Sequence, residues 1–157
     1  MFEPDLKFEN ALRFSRLDSD DMLSTTSEHS FELAGRTWPS AEHYYQACKY
    51  SPEESLNAFS ESLLAISDPS EVFHKGEKWW HKKRPKFKQL QTTLMTRALY
   101  SKAQQHPEVK EYLLATGNQL IAESSLYDHY WGIGRDLRGK NMMGRIWMDI
   151  RGKLAKP

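Results

Sequence analysis

Glu42, Gln46 and Lys49 fall at the spacing that places side chains on one face of a helix. A carboxylate, an amide and an amine in one stripe can exchange a proton, hold hydroxyls and supply a nucleophile. Trp38 and Tyr45 lie beside them, and aromatic faces stack on nucleobases. The same three polar residues could equally form an exposed, self-paired surface stripe. A second stretch, Asp128-His-Tyr-Trp-Gly-Ile-Gly134 followed by Gly139-Lys-Asn-Met-Met-Gly144, combines an acid, an indole and four glycines. Glycines let a backbone come close to a phosphate or ribose. The N–H groups at the start of the helix that follows would favour an anion, with Lys140 adding a cation. The plainer alternative is a surface turn leading into a core helix.

Other chemistries fit poorly. Gly134-Arg-Asp-Leu-Arg-Gly139-Lys140 spells most of a phosphate-binding loop, but Asn141 stands where a Ser or Thr must meet magnesium. The preceding Glu123–His129 is polar rather than a hydrophobic strand. The six histidines are scattered and there is one cysteine, Cys48, so no metal site and no cofactor is expected. No Gly-x-Ser-x-Gly elbow is present.

The elements that must position these groups read as follows. Ser40 caps a helix to about Tyr50. Ser51-Pro52-Glu53-Glu54 reads as a second helix start, with Leu56, Phe59, Leu63 and Ile66 at helical spacing. Asp68-Pro69 starts another. Pro85 opens a long helix with Leu90, Leu94, Ala98 and Leu99 inward, which His106-Pro107 breaks. A short helix reaches Leu114, with Gly117 as its cap. Asn141 opens a last helix through Met143, Ile146, Trp147, Ile150 and Leu154. Leu12–Leu17 and Ser30–Leu33 alternate as two strands of one small sheet, Ala34-Gly35 is a turn, and Leu120–Ala122 is a short strand. The expected fold class is α+β, a predominantly helical single domain over 1–157 with a small β element.

The 157 residues carry 39% hydrophobic and 12% aromatic side chains, enough for a packed core. No apolar run approaches the length needed to span a membrane. The first seven residues have neither a basic nor an apolar signal region. With the single cysteine, this points to a reducing, cytoplasmic setting. Charge is uneven: residues 1–73 hold 5 Lys/Arg against 14 Asp/Glu, whereas 74–88 holds seven Lys/Arg against Glu77 alone. That basic run suits phosphates or nucleic acid, or a solvated helix face.

Taken together, the motifs resemble the NADAR, or YbiA-like, family. The likeness is carried by Gly35–Tyr50, by Leu113-Leu-Ala-Thr-Gly117 with Leu120-Ile121 and Glu123, and by the two glycine-rich blocks with Met148 and Arg151. It covers about residues 12–154. Three departures stand out. Leu23-Ser-Thr-Thr26 replaces a Phe-Ser-Asn-Phe-like stretch. Phe87 replaces a Trp, with Arg84 retained. Glu77 stands where a second Arg is expected, with Trp79 and Trp80 following. The resemblance implies an N-glycosidase of phosphoribosylamino-pyrimidine intermediates of riboflavin synthesis. It also implies two alternatives: a hydrolase removing ADP-ribose from guanine in DNA, or a non-catalytic ADP-ribose-binding module. Both reactions cut a ribose C1–N bond, which needs a proton on the leaving nitrogen and charge stabilisation at C1. The expected catalytic residues are Glu42 as acid/base or as the group that positions water at C1, Lys49 as a holder of sugar hydroxyls or a Schiff-base nucleophile, and Asp128 orienting Lys49 or stabilising C1. Trp38, His43, Tyr45, Gln46, Tyr130, Trp131 and Gly132 would line the substrate, with Arg84, Lys140 and Asn141 at phosphate. The expected partner is a small ribosyl phosphate or ADP-ribosyl compound, with nucleic acid possible along 74–88 and no membrane.

Overall fold

The computed structural model describes residues 8–78 and 80–156. The signal-region reading of residues 1–7 and the place of Trp79 lie outside them. Among the described residues are six helices and four three-residue strands: β1 Leu12–Phe14, β2 Phe31–Leu33, β3 Arg36–Trp38, α1 Ala41–Tyr50, α2 Ala58–Leu64, α3 Pro69–Gly76, α4 Phe87–Gln105, α5 Pro107–Ala115, β4 Ile121–Glu123 and α6 Met142–Leu154. The fold is α+β and mostly helical. No helix among the described residues is long and apolar enough to cross a membrane. The chain divides into two compact units, one formed by residues 25–105 and the other by 1–24 with 106–157.

In the 25–105 unit, α1 is the central helix. All ten of its residues are buried, against α2, α3, α4 and β3. Ser40 caps it as expected, its hydroxyl accepting from His43 N. Tyr50, Leu63 and Val72 make an apolar cluster, with Phe59 and Ile66 packed against it. The β2–β3 hairpin closes through Ala34 and Gly35, both at positive φ (53° and 78°). That geometry matches the twist of a two-residue turn.

Two helix starts fall later than the sequence suggests. α2 begins at Ala58, capped by Asn57 Oδ1 on Ser60 N at 2.9 Å, not at Ser51. The capping groups of 51–54 are engaged elsewhere. Ser51 Oγ accepts from Asn57 N and pairs with Ser60 Oγ, while Glu53 accepts from Tyr44 Oη and Arg97. Leu56 therefore lies ahead of the helix rather than in it. α4 starts at Phe87 because Lys86 sits at φ 59°, which cannot continue a right-handed helix.

In the other unit, β1 pairs in parallel with β4, in register Leu12↔Ile121 through Phe14↔Glu123. The two N-terminal strands expected in one sheet thus lie in two. β2 has β3 as its partner, a strand that the short Arg-Thr-Trp run concealed. α6 packs on β4 and α5. Its Trp147 Nε1 donates to Leu23 O at 2.9 Å, and Arg151 donates to Thr116 Oγ1 and Gln119 O beyond α5. Gly117, at φ 61°, ends α5 with its N–H on Leu114 O.

Candidate functional site

The α1 stripe is not a surface feature. Glu42 and Gln46 have no solvent exposure and Lys49 keeps 5%. Burial of charge is tolerated only where partners replace water, and here they form a chain. Glu42 Oε1 accepts from Thr25 Oγ1 at 2.7 Å, and the Glu42 N–H donates to Thr25 O at 2.9 Å. Glu42 Oε2 accepts from Gln46 Nε2 at 3.1 Å. The same amide nitrogen donates to Glu77 Oε2 at 3.2 Å, and Lys49 Nζ makes an ion pair with that oxygen. Gln46 thus bridges two carboxylates. Its Oε1 has no hydrogen-bond partner among the described residues.

α3 reaches the stripe through a glycine. A Cβ at Gly76 would lie 2.2 Å from Gln46 Oε1, so any side chain there would evict the amide. Gly76 O accepts from Tyr50 Oη, which fixes the end of α1. Burial first, and then the charge of Glu77, push the Tyr50 phenol up to about 12.

Beyond Lys49 the walls are aromatic and basic. Its Nζ lies 5.8 Å from the Phe87 ring centre and 5.9 Å from that of Tyr50. Tyr45 packs on Phe87 at 5.9 Å. Arg84 N donates to Lys49 O at 3.0 Å and its guanidinium to Cys48 O at 3.3 Å, so Arg84 caps the end of α1. Arg84 and Phe87 also line a cavity of about 640 Å³ with Lys83, Lys86 and Lys88.

Two expected ligand residues are engaged inside the fold instead. Trp38 is fully buried, donates from Nε1 to Leu33 O at 2.9 Å and meets Tyr44 edge-on at 4.9 Å. His43 Nε2 donates to Ile66 O at 2.6 Å, which leaves Nδ1 to accept from Ser40 Oγ at 2.8 Å. Burial holds the imidazole below its ordinary range, although the Ile66 carbonyl and nearby carboxylates oppose it. Cys48 is likewise inert, its thiol pushed up to about 12 by burial.

The second motif is built as a self-bonded loop. Asp128 Oδ1 accepts from Tyr130 N and Trp131 N at 3.0 and 2.8 Å, a tight Asx turn. The N–H groups of residues 140–143 donate to the carbonyls of His129, Gly132, Tyr130 and Trp131 respectively. These amides were expected to meet an anion, but the loop's own carbonyls take them. Asn141 is buried, donating to Ile121 O and accepting from Glu123 N across β4, so its side-chain amide serves the strand. Gly132 faces Glu123: a Cβ there would meet Glu123 Oε2 at 2.4 Å. Trp131 is buried edge-on to Tyr130 at 4.8 Å. Tyr130 and Lys140 reach solvent, the Lys140 amine 5.8 Å from the ring.

The structure adds three residues to the expected set. Thr25 and Glu77 hold the α1 stripe. Glu123 organises the loop, accepting from Arg16 N, Ser125 N and Ser125 Oγ. Glu77 carries a visible signal in the sequence, as the lone acid of the basic run. Thr25 carries none.

A family model for the NADAR domain matches residues 6–155. The chain is 31% identical over 142 residues to N-glycosidase YbiA of Escherichia coli (strain K12), covering 90% of this chain and 86% of that protein. It is 32% identical over 127 residues to riboflavin biosynthesis protein VVA0006 of Vibrio vulnificus (strain YJ016), covering 81% of this chain but 34% of that longer protein. The NMR structure of the E. coli protein YbiA superimposes with a TM-score of 0.78 at 29% identity, over 93% of this chain and 86% of the other.

Proposed function

The chain belongs to the NADAR domain family, and from this premise we propose that it is an N-glycosidase that hydrolyses the ribose C1–N bond of phosphoribosylamino-pyrimidine intermediates. The observation that carries the reading is the hydrogen-bonded run Thr25–Glu42–Gln46–Glu77–Lys49, buried along α1. A carboxyl group and an amine held out of water, about two helical turns apart on one face of a rigid helix, with Gln46 between them, are what C1–N cleavage asks for. The names of the relatives, N-glycosidase and riboflavin biosynthesis protein, support the class of bond and suggest the substrate.

In the proposed reaction the Glu42 carboxyl gives its proton to the leaving nitrogen. The C1–N bonding pair departs with that nitrogen. Water bonds to C1 and returns a proton to the Glu42 carboxylate. Gln46 fixes the carboxylate. Lys49 holds the sugar, or attacks C1 in place of water to give a Schiff base with the opened ribose. The phosphate lies among Lys83, Arg84, Lys86 and Lys88, whose shared cavity offsets its charge.

A second reading, removal of ADP-ribose from guanine in DNA, draws on one surface feature. Trp80 is exposed, with Lys78 Nζ 5.1 Å from its ring, inside the basic run. Stacking beside cations suits single-stranded nucleic acid. The test offers both substrates to the purified protein in parallel. Release of ribose 5-phosphate from the pyrimidine compound is the expected result. Release of ADP-ribose from the oligonucleotide alone would favour the second reading. Tight ADP-ribose binding with turnover of neither would make the chain a binding module.

A further inference from the structure

Glu77 is the least enclosed member of the buried run. The Lys49 side chain keeps 6% exposure while that of Glu77 keeps 38%. Glu77 ends α3 as its C-cap, and its Oε2 accepts from both Lys49 and Gln46. It therefore touches the two groups that the proposed reaction uses, from the side open to solvent. It is also the single acid among the seven Lys/Arg of 74–88, where a merely solubilising charge would be redundant.

We propose that Glu77 is a positioning residue for Lys49: it holds the side chain against α1 as an ammonium in the resting protein and takes its proton when substrate arrives. The proposal rests on the C1–N cleavage reading for its consequence, though not for its test. When Lys49 attacks, its Nζ proton passes to Glu77 Oε2 and its lone pair bonds to C1. The C1–N pair leaves with the base nitrogen, which takes its proton from Glu42. The groups placed at the amine are Glu77 Oε2 beyond α3 and the rings of Tyr50 at the end of α1 and Phe87 at the start of α4; Glu42 is reached through Gln46, and Arg84 meets Lys49 at its backbone carbonyl. Glu77 is the carboxylate paired with Nζ itself, so its charge dominates the local field.

The experiment measures the rate of Lys49 acetylation by acetic anhydride against pH, read by mass spectrometry of the Lys49 peptide. Wild type, Glu77→Gln and Glu77→Asp are compared as folded full-length proteins. A carboxylate beside a cation favours its charged form by roughly one to three pH units. Glu77→Gln should therefore acetylate with a midpoint at least about one unit lower than wild type, with Glu77→Asp close to wild type. Should Glu77→Gln not fold, Glu77→Ser carries the same expectation. Equal midpoints in wild type and the neutral variant would overturn the proposal. A lowered midpoint in a protein that cleaves no glycoside would support the pairing while the glycosidase reading failed.

Discussion

At the scale of single residues, Glu42 and His43 are neighbours with opposite fates. Both are fully buried on α1. Glu42 turns towards Thr25 and Gln46, in the run that reaches part-exposed Glu77, whereas His43 is stitched between Ser40 and Ile66 as part of the core. This gives His43 a signature in stability. Its folded value lies below the ordinary 6.5, so the unfolded chain binds the proton first. Its contribution is complete above about pH 6.5 and is lost as the pH falls below that value. Thermal unfolding of wild type should therefore weaken between pH 7 and 5 more steeply than that of His43→Gln. Parallel curves would contradict the assignment. Type and spacing alone could not separate these two side chains, because a histidine serves a core or a ligand equally well.

The element that decides the site is α1, and its precision depends on the close approach of α3. Gly76→Ala would place a methyl group at 2.2 Å from Gln46 Oε1. The expected cost is about 1–3 kcal/mol of overpacking, seen as a Tm lower by several degrees. Turnover should fall as well, since Gln46 would be pushed off Glu42. Unchanged Tm and turnover would mean that the amide has room to move. Much of this level was legible beforehand. The caps at Ser40 and Asp68, the break at His106-Pro107 and the α1 stripe follow from local chemistry, which one sequence carries. The pairing of β1 with β4 was not legible, because their registry joins residues more than a hundred positions apart. The surroundings of the glycine-rich motif were not legible for a related reason. Gly132 allows the loop to close on Glu123, and a sequence shows that space is needed without showing what fills it. Ser51–Glu54 has every local mark of a helix start, yet tertiary bonds to Tyr44, Arg97 and Ser60 outweigh them.

Across the whole molecule, the family match over residues 6–155 takes in both compact units, although the α1 stripe and its partners belong to one of them. Charge is the feature that acts at long range. Four of the seven Lys and Arg of 74–88, Lys83, Arg84, Lys86 and Lys88, line the cavity beside Phe87, so a phosphorylated substrate should be drawn to it. Raising ionic strength from 0.01 to 0.15 M shortens the screening length from about 30 to about 8 Å. KM for a ribosyl phosphate should rise severalfold over that range, with kcat little changed. A KM indifferent to salt would place the phosphate elsewhere.

The central claim is that the buried Glu42 carboxyl moves the proton that lets the C1–N bond break. It is tested most directly by single-turnover release of ribose 5-phosphate from the phosphoribosylamino-pyrimidine substrate, comparing wild type with Glu42→Gln. The amide can still accept from Thr25, so the fold should persist, and a circular dichroism spectrum matching wild type would confirm it. Loss of the acid/base should slow cleavage by about 10²–10⁴-fold with substrate still bound. Glu42→Gln cleaving at the wild-type rate would contradict the account.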